Sequence, residues 1–201
     1  MDIMGNKATA YGFIAAAEKA GLKLFLGSYP VTPATDVLHE LSKHKSLGVI
    51  TVQCEDEISG CATAIGASFA GALAVTTTSG PGVCLKSEAM NLAVITELPL
   101  VVLNVQRGGP STGLPTKSEQ TDLLQALFGR NGESPMPVIA ATSPTNCFDA
   151  AYAACKMALE HMTPVVLLTD GFVANGSGSW KLPNLDTYPE IKPQYVTPEM
   201  K

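Results

Sequence analysis

Glu57, Arg107 and Thr32 are the side chains of this sequence best placed to do chemistry, because each follows an apolar, strand-like run. The β-branched stretch Val49 to Val52 leads into Glu55-Asp56-Glu57, which opens a helix rich in small residues. At about 100° per residue, Glu57 shares a helix face with Cys61, Ala64 and Ser68. Ile58, Ala62, Ile65 and Phe69 form the neighbouring apolar stripe, which predicts a core beneath it and sets Glu57 at its border. A carboxylate there can share a proton with a ligand in place of water. It also lies at the carboxyl end of a predicted parallel strand, where open α/β sheets bind ligands. Glu55 and Asp56 are read more simply, as first-turn acids that complement the helix dipole. Arg107 stands at the end of a buried run and before two glycines. Its guanidinium suits either a fork for a carboxylate or an ordinary ion pair, and position alone leaves the two level. Thr32 has two competing uses, since one hydroxyl can cap the next helix or face a ligand.

The elements that must position these residues are legible in order. Residues 5–21 read as a helix with Phe13, Ile14 and Ala17 inward and Gly21 as its stop. Lys23 to Leu26 reads as a strand, followed by Gly27-Ser28-Tyr29-Pro30-Val31-Thr32-Pro33. Pro33 disfavours helical geometry at Thr32 and suits a first helical position. A helix is therefore expected over 33–45, capped by Thr32, with Val37, Leu38 and Leu41 inward. The strand Leu73 to Thr78 runs into Ser79-Gly80-Pro81-Gly82, and positions 85, 89, 92 and 96 then mark a helix period. After the strand Leu100 to Val105 comes Gln106-Arg107-Gly108-Gly109-Pro110 and a segment through Lys117 too rich in Gly, Pro, Ser and Thr for regular structure. Long irregular segments in compact domains are usually functional or mobile. A helix around 118–128, a strand Val138 to Ala141, a helix opened by Ser143-Pro144 and a strand Val165 to Thr169 complete the series. About six strands alternating with about six helices predict an α/β fold with a doubly wound, mainly parallel sheet. Residues 1–171 read as this domain. Residues 172–201, with four prolines and no periodicity, read as a tail or linker towards a further domain.

Composition narrows the function. At 201 residues and 46% hydrophobic content, the chain can bury one substantial core. A net charge of −5 without a basic block argues against nucleic acid and anionic membranes as partners. The apolar runs are strand-length and the start, Met1-Asp2-Ile3-Met4, begins no signal peptide, so a soluble, cytoplasmic protein is expected. The five cysteines (54, 61, 84, 147 and 155) show no CxxC and no metal or iron–sulfur spacing. They read as buried thiols of a reduced compartment, and no metal site is expected on this chain. The three histidines are scattered and read as surface residues. Neither a GxGxxG turn after the first strand nor a GxxxxGK[ST] phosphate loop occurs.

Four ordered motifs together resemble one family. They are Tyr29-Pro30-Val31-Thr32-Pro33, Glu55-Asp56-Glu57-Ile58-Ser59-Gly60, Thr78-Ser79-Gly80-Pro81-Gly82, and Arg107-Gly108-Gly109-Pro110-Ser111-Thr112-Gly113-Leu114-Pro115-Thr116. The sequence is similar in them, from about Gly5 to about Pro183, to the α subunit of 2-oxoacid:ferredoxin oxidoreductases, in particular the 2-oxoglutarate type. The resemblance implies the pyrimidine-binding domain of a thiamine diphosphate enzyme. It implies oxidative decarboxylation of a 2-oxoacid, with coenzyme A accepting the acyl group and electrons passing to ferredoxin. The family's glutamate that hydrogen-bonds N1′ of the aminopyrimidine matches Glu57, and Ser79-Gly80 match its cofactor-binding turn. Its substrate contacts match Thr32, Arg107 and Thr116, with Arg107 pairing the substrate carboxylate.

The resemblance also implies what lies elsewhere. Thr169-Asp170-Gly171 only partly echoes the Gly-Asp-Gly motif that holds diphosphate and Mg²⁺. The thiamine diphosphate is then shared with a β subunit that carries the diphosphate/Mg²⁺ site, while iron–sulfur clusters belong to partner subunits. A γ subunit or domain, ferredoxin, and assembly as a homodimer or hetero-oligomer complete the expected partners, and the chain alone is expected to be inactive. Two other readings are weighed: a non-catalytic assembly module with a degenerate pocket, and a different thiamine diphosphate decarboxylase or synthase subunit. An intact Glu57 argues against the first, and Arg107-Gly108-Gly109-Pro110 against the second.

Overall fold

The β-branched runs do become parallel strands. The computed structural model describes residues 1–196. In chain order they form β1 (Asp2–Met4), α1 (Gly5–Ala20), β2 (Leu24–Ser28), α2 (Thr35–Leu41), β3 (Ile50–Gln53), α3 (Glu57–Phe69) and β4 (Leu73–Thr78). There follow α4 (Gly80–Ile95), β5 (Leu100–Gln106), α5 (Leu123–Phe128), β6 (Val138–Ala140), α6 (Asn146–His161), β7 (Pro164–Asp170), α7 (Gly171–Asn175) and β8 (Ser177–Ser179). Six strands build one all-parallel sheet in the order β3-β2-β4-β5-β7-β6. The predicted doubly wound α/β sheet is therefore present.

Both faces of the sheet are covered, and the central strands alternate between two cores. Leu24, Leu26, Val75, Val101, Leu103, Val105, Val165 and Leu167 pack with α1, α2, α6 and α7 on one face. Ala74, Leu100, Val102, Val166 and Leu168 pack with α3, α4 and α5 on the other. Burial on both sides explains why β4, β5 and β7 read as unbroken apolar or β-branched runs, all buried. The neighbours β2 and β4 send their following helices, α2 and α4, to opposite faces. Their carboxyl ends thus flank a topological switch point, the place where doubly wound sheets open a crevice.

Local departures from the sequence reading have physical causes. The helix expected over 33–45 is only Thr35–Leu41. Its N-cap is Ala34, and the carbonyl of Val31, not the Thr32 hydroxyl, receives the first amides, Ala34 and Thr35. On α3 the buried face is Gly60, Cys61, Ala64, Ile65 and Ser68, so the stripe of Ile58, Ala62 and Phe69 faces outward. On α4, Val83, Lys86, Ala89, Met90 and Ala93 are buried while Leu85 and Leu92 are exposed. Three cysteines (61, 147 and 155) are buried as expected, but Cys54 is half-buried and Cys84 exposed. Residues beyond 171 carry structure that periodicity could not show. The strand β8 pairs antiparallel with β1, Trp180 stacks on Tyr11, Tyr188 sits against Phe148 and Tyr152, and Ile191 is buried. The hydroxyl of Tyr152 donates to the carbonyl of Pro189, fastening the segment to α6.

Candidate functional site

Glu57 is the first residue of α3, and the turn before it is tightly built. Asp56 is the N-cap: its Oδ1 accepts from the Ser59 amide at 2.7 Å, and the Asp56 amide donates to Ser59 Oγ at 3.1 Å. This reciprocal capping box holds the Asp56 carboxyl below its ordinary range, chiefly through the Ser59 amide. The small residues of α3 let it approach β2 closely: a Cβ at Gly27 would meet Thr63 Oγ1 at 2.4 Å and the Gly60 carbonyl at 2.5 Å. Glu57 itself is half-buried and reaches over the start of α4. There a Cβ at Gly82 would lie 1.9 Å from Thr78 Oγ1 and 2.8 Å from Glu57 Cγ. Only glycine leaves room for the Glu57 side chain at that turn.

Beneath this turn lies a lysine that sequence reading missed. Lys86, fully buried on α4, donates from Nζ to the Glu57 carbonyl at 3.0 Å and to Thr76 Oγ1 at 2.9 Å. Burial holds its pKa below the usual lysine range, partly offset by Cys61 and Glu57. The signal is in the sequence: Lys86 falls in phase with Val83, Met90 and Ala93, not with the 85/89/92 stripe.

Arg107 leaves the end of β5 and is 8% exposed. Its Nη1 donates to the Thr32 carbonyl at 2.6 Å and its Nη2 to the Thr112 carbonyl at 2.8 Å. The guanidinium thus clamps the loop after β2 to the loop after β5, while its buried Nε has no partner among the described residues. The loop folds back on itself through Leu114 N to Gly108 O at 2.8 Å and Gly108 N to Lys117 O at 2.8 Å. Thr32 and Thr116 are both exposed, and Thr32 enters the arrangement through its main chain.

A polar network joins the strand ends. Asn104 Nδ2 donates to Asp122 Oδ2 at 2.9 Å, the Asp122 amide to Gln106 Oε1 at 3.0 Å, and Gln106 Nε2 to the Thr169 carbonyl at 3.1 Å. It holds Asp122 against the α4 turn, with Oδ2 2.7 Å from where a Cβ at Gly80 would lie. A cleft of ≈ 340 Å³ opens here, lined in part by Gly80, Pro81, Cys84, Arg107, Glu119 and Asp122. Ser79, the N-cap of α4, is fully buried beside it with an unpartnered Oγ. Asp170 is committed elsewhere: Oδ1 accepts from the Phe172 and Val173 amides and Oδ2 from Gln120.

Glu57, Ser79, Gly80, Arg107 and the Thr32 main chain therefore gather at the carboxyl ends of β2 to β5, on one side of the sheet. Of the expected site residues, Gly80 and Arg107 line the cleft, whereas Glu57, Ser79, Thr32 and Thr116 do not. Asn104 and Asp122 are not among the residues predicted from sequence: an amide inside the buried run Leu100–Gln106 is the available signal for Asn104, while Asp122, 16 residues past Gln106, has none.

The chain as a whole is similar to known proteins. The family described as pyruvate flavodoxin/ferredoxin oxidoreductase, thiamine diphosphate-binding, matches residues 15–201. A 2-oxoglutarate oxidoreductase subunit, KorA, of Mycobacterium tuberculosis is 59% identical over 98% of this chain and 30% of its own length. A 2-oxoglutarate synthase subunit, KorA, of Archaeoglobus fulgidus is 42% identical over 91% of this chain and 52% of its own. Among solved structures, a 2-oxoglutarate:ferredoxin oxidoreductase from Magnetococcus marinus, with 2-oxoglutarate, coenzyme A and succinyl-CoA bound, superposes with a TM-score of 0.92. The identity to it is 37%, over 99% of this chain and 34% of that one. The chain thus spans about half or less of the length of these relatives. With motifs, fold and similarity in agreement over nearly every residue, it belongs to the thiamine diphosphate-binding family of the pyruvate flavodoxin/ferredoxin oxidoreductases.

Proposed function

We propose that this chain supplies the pyrimidine-binding half of the active site in a 2-oxoacid:ferredoxin oxidoreductase acting on 2-oxoglutarate. The observation that carries the reading is the α4 turn. The missing Cβ of Gly82 leaves Glu57 Cγ over a helix start, and the buried, unpartnered Ser79 Oγ lies at the same turn. These residues fit an aminopyrimidine: a half-buried carboxylate for a ring nitrogen and a polar atom with unmet hydrogen-bonding capacity. The diphosphate end fits less well, because Asp122 already stands against the start of α4 and both Asp170 oxygens are engaged. We therefore assign the diphosphate and its Mg²⁺ to a β subunit.

When bound, thiamine diphosphate supplies a nucleophilic carbon that attacks the 2-oxo group. This chain's residues hold and orient. Glu57 shares a proton with the pyrimidine nitrogen, from a position where the capping box fixes its backbone. Arg107 keeps the loop after β5 closed over the cleft and offers its unpartnered Nε–H, with the remaining Nη–H donors, to the substrate carboxylate. Thr32 and Thr116 contact the substrate from the loop rims. Coenzyme A would be the acyl acceptor and ferredoxin the electron acceptor, with iron–sulfur clusters held by partner subunits, among them the β subunit and a γ subunit or domain.

The test is dye reduction by the assembled enzyme. Thiamine diphosphate-dependent viologen reduction with 2-oxoglutarate and coenzyme A is expected, and Arg107→Lys should lower kcat/KM. Losing a buried charged hydrogen bond typically costs ~1.5–3 kcal/mol, about one to two decades. An Arg107→Lys enzyme with unchanged kinetics would reduce Arg107 to a loop clamp.

A further inference from the structure

We propose that Lys86 is the positioning residue for Glu57, tying the first turn of α3 to β4 so that the carboxylate keeps one place over the α4 turn. The inference rests on the role proposed for Glu57. A fully buried ammonium needs a reason, since a Met of similar length would fill the same space without desolvation. Its bonds supply one: Nζ joins the Glu57 carbonyl (3.0 Å) to Thr76 Oγ1 (2.9 Å), linking α3, α4 and β4 through one atom. The groups that face it are Glu57, Asp56 and Cys61 from α3 and its cap, Cys54 from the preceding turn, and Thr76 from β4. Burial pushes the Cys61 thiol up to about 11, so the carboxylates of Glu57 and the exposed Asp56 are the anions near Lys86. The capping box fixes Asp56 and Ser59 from outside, and Lys86 fixes Glu57 from inside. Without that inner tie, the Glu57 backbone can shift towards the space above Gly82, and sub-ångström placement governs proton sharing.

The test compares Lys86→Met and Glu57→Gln with wild type in the assembled enzyme. It reads exchange of the cofactor's C2 proton by NMR, kcat and KM for 2-oxoglutarate, and thermal unfolding. Lys86→Met is expected to fold and assemble, to lose about tenfold or more in C2–H exchange and in kcat, and to keep KM within about twofold. A purely structural lysine would move the unfolding temperature and leave exchange in the folded enzyme unchanged. Exchange near wild type in Lys86→Met but lost in Glu57→Gln would overturn the proposal and leave the function of Glu57 standing. Near-normal exchange in both variants would overturn the two together. Should Lys86→Met fail to assemble, Thr76→Val removes the β4 anchor alone; a severalfold loss of exchange is expected there, and none would contradict the proposal.

Discussion

At residue scale, Gly82 makes the most specific demand. Gly82→Ala must drive a methyl into Thr78 Oγ1 and Glu57 Cγ, and Thr78 is buried with no room to yield. Overpacking of this kind typically costs about 1–3 kcal/mol. The variant should melt lower and, in the assembled enzyme, lose C2–H exchange, because the displaced side chain is Glu57. Gly66 is the control: it is exposed on α3 with open space around it. There Gly66→Ala should stabilise by roughly 0.5–1 kcal/mol, the usual gain for alanine in a helix. Lys86 offers a second measurement. Burial lowers its pKa, while an unfolded lysine titrates near ~10.4. Between the two values the unfolded chain binds more protons, so stability gained through Lys86 rises with pH across that window. The unfolding temperature of wild type minus that of Lys86→Met should therefore grow as pH rises towards ~10.4. The raised thiol of Cys147 acts alike in both proteins, whereas Cys61 is coupled to Lys86, so the two are compared in a Cys61→Ala background, where a flat difference would contradict the lowered pKa of Lys86.

At the scale of elements, the sequence named the helices but mistook the inward face of two of them. Period alone cannot tell which stripe faces the sheet when a helix is apolar on more than one side. On α3 the stripe of larger side chains looked like the core, yet Ile58 is 50% and Phe69 82% exposed. The close approach of α3 to β2 at Gly27 and Gly60 admits only small residues inward. Strand ends were easier to read, because each motif residue had to follow a β-branched run. The inward phase of Lys86 on α4 is legible, but the partners of Asp122 and Lys86, Asn104 and Glu57, lie 18 and 29 residues away and are not. We propose a use for the outward apolar side chains. Ile58 and Phe69 on α3, Leu85, Leu92 and Ile95 on α4, and Leu123, Leu124 and Phe128 on α5 all lie on the face covered by these helices. Exposed apolar patches of this kind mark association surfaces. Phe69→Glu and Ile95→Glu should leave the unfolding temperature of the chain nearly unchanged while breaking subunit association, read by light scattering. Intact assembly in both variants would place the partner elsewhere.

For the whole molecule, the switch point between β2 and β4 explains why the site sits where it does. Loops diverging to opposite faces open the crevice, Arg107 ties the β2 and β5 loops across it, and β1, β8 and the residues to 196 brace the far face. No helix among the described residues is long and apolar enough to cross a membrane. Of the three consecutive acids, Glu57 is the one proposed to activate the cofactor. The direct measurement is C2–H exchange of thiamine diphosphate in the assembled enzyme carrying Glu57→Gln, with Glu55→Gln and Asp56→Asn alongside. Loss of exchange is predicted for Glu57→Gln with folding and assembly intact, while the other two retain it, Asp56→Asn preserving a capping side chain. Near-normal exchange in Glu57→Gln, or greater damage from either neighbour, would contradict the claim.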